Sequence, residues 1–113
     1  MNNGTEDDEQ IAFVEYLQWM KIPHFHIANG GFRNAREAAR LKRAGVCAGV
    51  PDLFLPVPSG GRHGLFIEMK RVKGGIVSPN QKIWLRDLDL WGYGAQVTAG
   101  CERAIEALES YLK

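Results

Sequence analysis

The 113-residue sequence predicts an α/β fold, a small mixed β-sheet flanked by α-helices. Three observations carry that expectation. The stretch from Gly49 to Lys70, GVPDLFLPVPSGGRHGLFIEMK, holds two apolar runs, Leu53 to Val57 and Leu65 to Met69. A Pro-Ser-Gly-Gly segment lies between them, the pattern of two strands joined by a flexible turn. A capped helical stretch then separates the second run from a third, Ala95 to Ala99. Strand, helix and strand in that order close as a right-handed crossover with parallel strands. Helical stretches with one apolar side begin and end the chain.

In chain order, residues 6–20 read as an amphipathic helix. At about 100° per residue, Glu6, Phe13, Leu17 and Met20 share a stripe about 60° wide, with Gln10 at its edge. Glu9 falls near the stripe, whereas Asp7 and Asp8 point away. Acids here favour the helix N-terminus electrostatically, whatever else they do. Pro23 stops the helix, His24 to Ala28 is a short strand candidate, and Asn29-Gly30-Gly31 is a turn. Asn34 is an N-cap for an Ala-rich helix that runs to about Arg43 and stops at Gly45. After the hairpin, Arg71 to Val77 is a basic loop. Ser78-Pro79-Asn80-Gln81 is a capping box, with Ser at N-cap, Pro at N1 and Gln at N3. That helix runs to about Trp91, where Gly92 and Gly94 end it. Glu102 to Leu112 forms the last helix, with Ala104, Ile105, Leu108 and Leu112 on its inner side.

Composition excludes several classes. An apolar fraction of 45% and a charged fraction of 24% are ordinary for a globular protein, and the length suits one domain over residues 1–113. No apolar run approaches membrane-spanning length, and the acidic N-terminus is unlike a signal peptide. Cys47 and Cys101 form no metal or redox motif; they read as buried free thiols in a reducing cytoplasm. Of Trp84, Trp91 and Tyr93, at least two are expected in the core. Net charge is +1 but unevenly spread. Glu6, Asp7, Asp8, Glu9 and Glu15 lie close together without a base. Arg33, Arg36, Arg40, Lys42 and Arg43 face Glu37 alone. A basic run of this kind suits a phosphate backbone, or is simply a solvated helix face.

The hairpin also carries chemistry. If the chain folds back about Gly60, Asp52 lies opposite Glu68, with Cβ atoms roughly 5 Å apart. Lys70 is two residues on and therefore on the same side of the strand. Two acids and a lysine at the end of a greasy hairpin are costly unless something compensates them. Mg²⁺ is a suitable compensator, because it takes one or two carboxylates together with waters and phosphate. Asp52 and Glu68 are the candidate ligands, the Met69 carbonyl is within reach as a third oxygen, and Glu6 would join directly or through water. Such a metal lowers the pKa of a bound water and stabilises charge on an attacked phosphate. Lys70 would orient or deprotonate that water, or stabilise the pentacovalent state. Gln81 would cap its helix or reach toward Lys70. The plain alternative is an exposed strand-end ion pair between Glu68 and Lys70. His24 and His26, without an acidic or Cys partner nearby in sequence, are not expected to ligate.

Glu6…Gln10, Asn29-Gly30-Gly31, Gly49-Val50-Pro51-Asp52, Ile67-Glu68-Met69-Lys70 and Ser78-Pro79-Asn80-Gln81 occur in that order. Together they resemble the VRR-NUC (virus-type replication-repair nuclease) family of the PD-(D/E)xK superfamily, over essentially the whole chain. The resemblance implies a restriction-endonuclease-like fold and Mg²⁺- or Mn²⁺-dependent cleavage of DNA. It implies a catalytic core of Asp52, Glu68 and Lys70, with Gln81 matching the family's helix Gln. Glu6 matches its N-terminal acid through the spacing to Gln10, with Glu9 as the alternative. The chain resembles stand-alone members from phages and bacteria, which are homodimers that cut branched DNA such as four-way junctions. Arg33, Arg36, Arg40, Arg71 and Lys73 are then candidate phosphate contacts. Two other readings stay open: a DNA-binding module of this fold without turnover, and a sequence-specific restriction-type nuclease.

Overall fold

The computed structural model describes residues 4–29 and 34–113. The expected turn at Gly30-Gly31 and the candidate contact Arg33 lie outside the described residues. The elements are α1 (Glu6–Trp19), β1 (Phe25–His26), α2 (Ala35–Arg43), β2 (Leu53–Leu55), β3 (Leu65–Lys70), α3 (Pro79–Leu90), β4 (Gly94–Ala99) and α4 (Cys101–Leu112).

Local chemistry accounts for the helix boundaries. Thr5 starts α1 with a capping box completed by Asp8, Asn34 caps α2, and Ser78 and Gln81 form the expected reciprocal box at α3. The first three helices end alike. In α1 the Ile22 N–H reaches back to Leu17 C=O and the Lys21 N–H to Gln18 C=O, the double bond of a Schellman motif. Gly45 and Gly92 hold the left-handed position in α2 and α3, whereas α1 places Lys21 there at φ +59°.

The four strands lie in the order β1-β2-β3-β4. β1 and β2 pair antiparallel, β2 and β3 antiparallel, and β3 and β4 parallel, as the crossover through α3 requires. Leu53 pairs with Ile67 and Leu55 with Leu65, a register centred on position 60. The chain reverses at Gly60-Gly61, both at positive φ, between Ser59 and Arg62, which exchange two backbone hydrogen bonds. β2 stops at Leu55 instead of Val57, because Pro56 and Pro58 cannot donate to a ladder.

One side of the sheet carries Leu53, Leu55, Leu65, Ile67 and Met69 against Phe13 and Leu17 of α1 and Ala104 and Leu108 of α4. The other side carries Phe54 and Phe66, whose rings lie 4.4 Å apart, with Tyr93 at their edge. Glu68 and Lys70 continue this second side toward the end of β3. Some expected core positions are not in the core. Met20 lies beyond the last turn of α1 and Leu112 at the end of α4, and both are exposed. Trp91 is 76% exposed, and Trp84 and Tyr93 are only half-buried. The cysteines are free, but Cys47 is exposed and Cys101 half-buried. Cys47 follows α2, against which no other helix or strand packs among the described residues, and it lies in an open cleft with Asn29 and Asn80. No helix among the described residues is long and apolar enough to cross a membrane.

Candidate active site

The site is built at the end of the hairpin farthest from its turn. Gly49 leads into β2 so close to α3 that a Cβ there would sit 2.8 Å from the backbone carbon of Asn80. Val50 and Pro51 carry the chain on to Asp52, which is 8% exposed. One further step of the β2–β3 register sets Asp52 opposite Glu68. The Asp52 carbonyl accepts from Ile27 N–H at 2.8 Å, and its Oδ2 accepts from Met69 N–H at 2.8 Å. In an extended strand a residue's N–H and C=O share one side. The Met69 carbonyl therefore faces Asp52, while the Met69 side chain is buried in the core.

Glu68 is 2% exposed. Its Oε2 accepts from Gln81 Nε2 at 2.9 Å and lies 3.5 Å from Lys70 Nζ. Gln81 thus does two jobs: its Oε1 accepts from Ser78 N–H to cap α3, and its amide nitrogen holds Glu68. It reaches Glu68, not Lys70. The Glu68–Lys70 pair exists, but it is buried, not an exposed strand-end bridge. Glu68 Oε1 is buried with no hydrogen-bond partner among the described residues. Carboxylate oxygens of Glu6, Asp52 and Glu68 all lie within 4.8 Å of one another.

The electrostatics of this cluster are unfavourable as it stands. Burial, and then the Asp52 charge, push the Glu68 carboxyl up to about 8 against the pull of Lys70. Burial likewise raises Asp52, although the Met69 N–H opposes it, and burial followed by Asp52 raises Glu6. Three acids face one ammonium group. The unpartnered oxygen, the short carboxylate spacings and the shortage of positive charge all fit a divalent cation with hard oxygen ligands.

Glu9 takes another path. Its Oε1 accepts from Cys101 N–H at 2.7 Å and caps α4, whose N-cap Gly100 has no side chain to offer. Gln10 lies 3.2 Å from His26 Nδ1, which is 2.9 Å from the Asp52 carbonyl. A carbonyl only accepts, so Nδ1 must carry the proton in that contact. This support of Asp52 was missed in the sequence because it runs through backbone.

A cleft of about 570 Å³ opens beside the cluster, lined by Gly4, Thr5, Glu6, Lys70 and the loop from Arg71 to Ile76. Gly75 lets the loop lie on Lys70, since a Cβ there would be 2.8 Å from Lys70 Cβ. Arg71 and Lys73 sit on the exposed wall of this cleft. Arg36 and Arg40 are exposed on α2 and do not line it. The fold therefore brings together Glu6, Asp52, Glu68, the Met69 backbone, Lys70, Gln81, Arg71 and Lys73, and leaves Arg36 and Arg40 apart.

A family profile for the VRR-NUC domain matches residues 5–101. A solved structure described as a VRR_NUC domain protein is similar at a TM-score of 0.78 and 29% identity, covering 98% of this chain and 90% of that one. No curated protein matches the sequence.

Proposed function

Because the chain belongs to the VRR-NUC domain family, a family of nucleases, we propose that it is a metal-dependent endonuclease that hydrolyses phosphodiester bonds in branched DNA. The observation that carries the metal dependence is the trio of carboxylate oxygens within 4.8 Å, on a site where Glu68 Oε2 is held by Gln81 and Lys70 and Glu68 Oε1 is buried without a partner among the described residues. Asp52, Glu68, the Met69 carbonyl and Glu6 would hold Mg²⁺ or Mn²⁺. When bound, the ion makes a water acidic enough to attack at neutral pH and offsets charge on the phosphate.

The chain's own groups do the rest. Gln81 fixes Glu68 Oε2 and leaves Oε1 free to ligate. Met69 N–H turns Asp52 into the cluster, and His26 steadies the Asp52 backbone from the far side. Lys70, held 3.5 Å from Glu68, orients the attacking water and faces the negative charge that builds on phosphorus. Water gives one proton to solvent as it adds to phosphorus, the P–O bond to the leaving sugar oxygen breaks, and that oxygen takes a proton from solvent. Arg71 and Lys73 on the cleft wall bind flanking phosphates, and Arg33, Arg36 and Arg40 are candidates for more distant ones. The domain spans residues 1–113 and acts as a homodimer, so that two sites cut two strands. The free cysteines suit a reducing cytoplasm.

Labelled branched, plain duplex and single-stranded DNA, incubated with Mg²⁺ or Mn²⁺, test this reading. Wild type should cut branched DNA and leave plain duplex intact, and Lys70→Ala and Asp52→Asn should lose at least about a hundredfold in rate. Equal cutting by all three proteins would sink the assignment. Discrete bands from long duplex would point to a restriction-type enzyme, and metal-independent binding without product to a DNA-binding module.

A further inference from the structure

Among the described residues β4 is the long open edge of the sheet; the opposite edge, β1, is two residues long. Gly94 N–H donates to Gly64 and Gly100 N–H to Lys70, so even-numbered positions of β4 turn their backbone toward β3. The N–H and C=O of Ala95, Val97 and Ala99 consequently point away from the sheet. Edges are normally blunted by charge, proline, a bulge or a covering segment. The strand GAQVTA has no charge and no proline, its register with β3 is unbroken, and Gln96, Val97 and Ala99 are exposed.

We propose that a second copy of this chain adds to this edge, β4 antiparallel to β4, with the two-fold axis at Val97. This gives an interface to the homodimer of the nuclease reading and rests on that reading for its consequence in cutting. Val97 then meets its own symmetry mate and Ala95 meets the mate of Ala99, so every outward backbone group finds a partner. Nucleic acid is a poor occupant: the strand offers no cation, Arg103 beside it is already 2.9 Å from Glu106, and Glu9 and Glu102 line the next groove. A second copy is complementary, because the two-fold sets the Arg103–Glu106 pair against the same pair in reverse order.

The symmetry also arranges the chemistry. Val97 pairs with Glu68 across β3 and β4 and projects from the same side of the sheet. An axis through Val97, perpendicular to the sheet, leaves both carboxylate clusters on one side. Strand spacings of about 4.8 Å within a chain and about 5.5 Å across the axis put the two Glu68 Cα atoms about 15 Å apart. Two clusters at that distance face a single nucleic acid together.

Sedimentation equilibrium tests the proposal. Wild type should sediment at twice its 12.6 kDa chain mass. Val97→Pro removes the central interchain donor without touching the β3 ladder, because that N–H faces outward. Val97→Lys sets two like charges directly opposite. Both variants should fall twofold in mass, keep the wild-type far-ultraviolet dichroism and, in the cutting assay, nick one strand without paired cuts. Val97→Lys serves alone if the proline variant does not fold. A wild type that stays monomeric up to its solubility limit, or a Val97→Lys variant that stays dimeric, overturns the interface. If masses change as expected and no form cuts DNA, the nuclease reading fails and the interface stands.

Discussion

Replacing Glu68 by Gln should stabilise the metal-free protein at alkaline pH while abolishing its response to metal. In the fold this carboxyl is pushed from 4.5 to about 8, chiefly by burial and then by Asp52. An acid with a raised folded pKa holds its proton more tightly when folded. The stability that proton contributes is fully present below pH 4.5 and is lost as pH rises through about 8. At about 1.4 kcal/mol per pH unit, the loss approaches about 5 kcal/mol. Asp52 and Glu6 are raised as well, so they act in the same direction. The Gln side chain is neutral, still accepts from Gln81 and donates to Asp52, so Glu68→Gln should lose clearly less stability than wild type over that window, retaining only the contributions of Asp52 and Glu6. A divalent ion at a hundred times its Kd should return about 2.7 kcal/mol to wild type and nothing comparable to the variant. In thermal melts that is about 10 °C for a domain of this size. Melting is followed by circular dichroism across the window, in EDTA and with Mn²⁺. A wild-type melting temperature that does not fall with rising pH in EDTA, or equal metal stabilisation of both proteins, would refute the reasoning.

Three further outcomes are expected. Lys21→Gly relieves left-handed strain in the α1 terminus and should raise stability by about 0.5–1 kcal/mol, read from urea midpoints. Glu9→Ala removes the cap on α4 and should cost about 1 kcal/mol in the same assay, while metal-dependent stabilisation, which needs Glu6, persists. Arg71→Ala should weaken DNA binding alike across sequences and lower the salt slope by about one, measured by fluorescence anisotropy.

Much of the fold was legible from a few residues. Gly60-Gly61 set the hairpin centre, the alternation of Leu53 and Leu55 against Leu65 and Ile67 set its faces, and from these Asp52 and Glu68 fell opposite each other. The Ser78–Gln81 box marked the start of α3 because capping is local chemistry. What was not legible depended on where distant elements dock. Glu6 and Glu9 are three residues apart on one helix and differ only because Cys101 of α4 comes to Glu9. Gln81 finds Glu68 instead of Lys70, a choice between two neighbours on one strand face. Cys47 is exposed because no other helix or strand among the described residues packs on α2, which its own amphipathic pattern cannot show.

The bond from Glu9 to Cys101 joins positions 92 residues apart and anchors the first turn of α1, which also carries Glu6. Chains emerge from the ribosome N-terminus first. The hairpin acids at 52 and 68 are therefore made before residue 101, and their third companion on the first helix is fixed through a residue made later still. The cluster thus depends on a closure between the two ends of the fold, and a break in that closure would loosen Glu6 without touching Asp52 or Glu68.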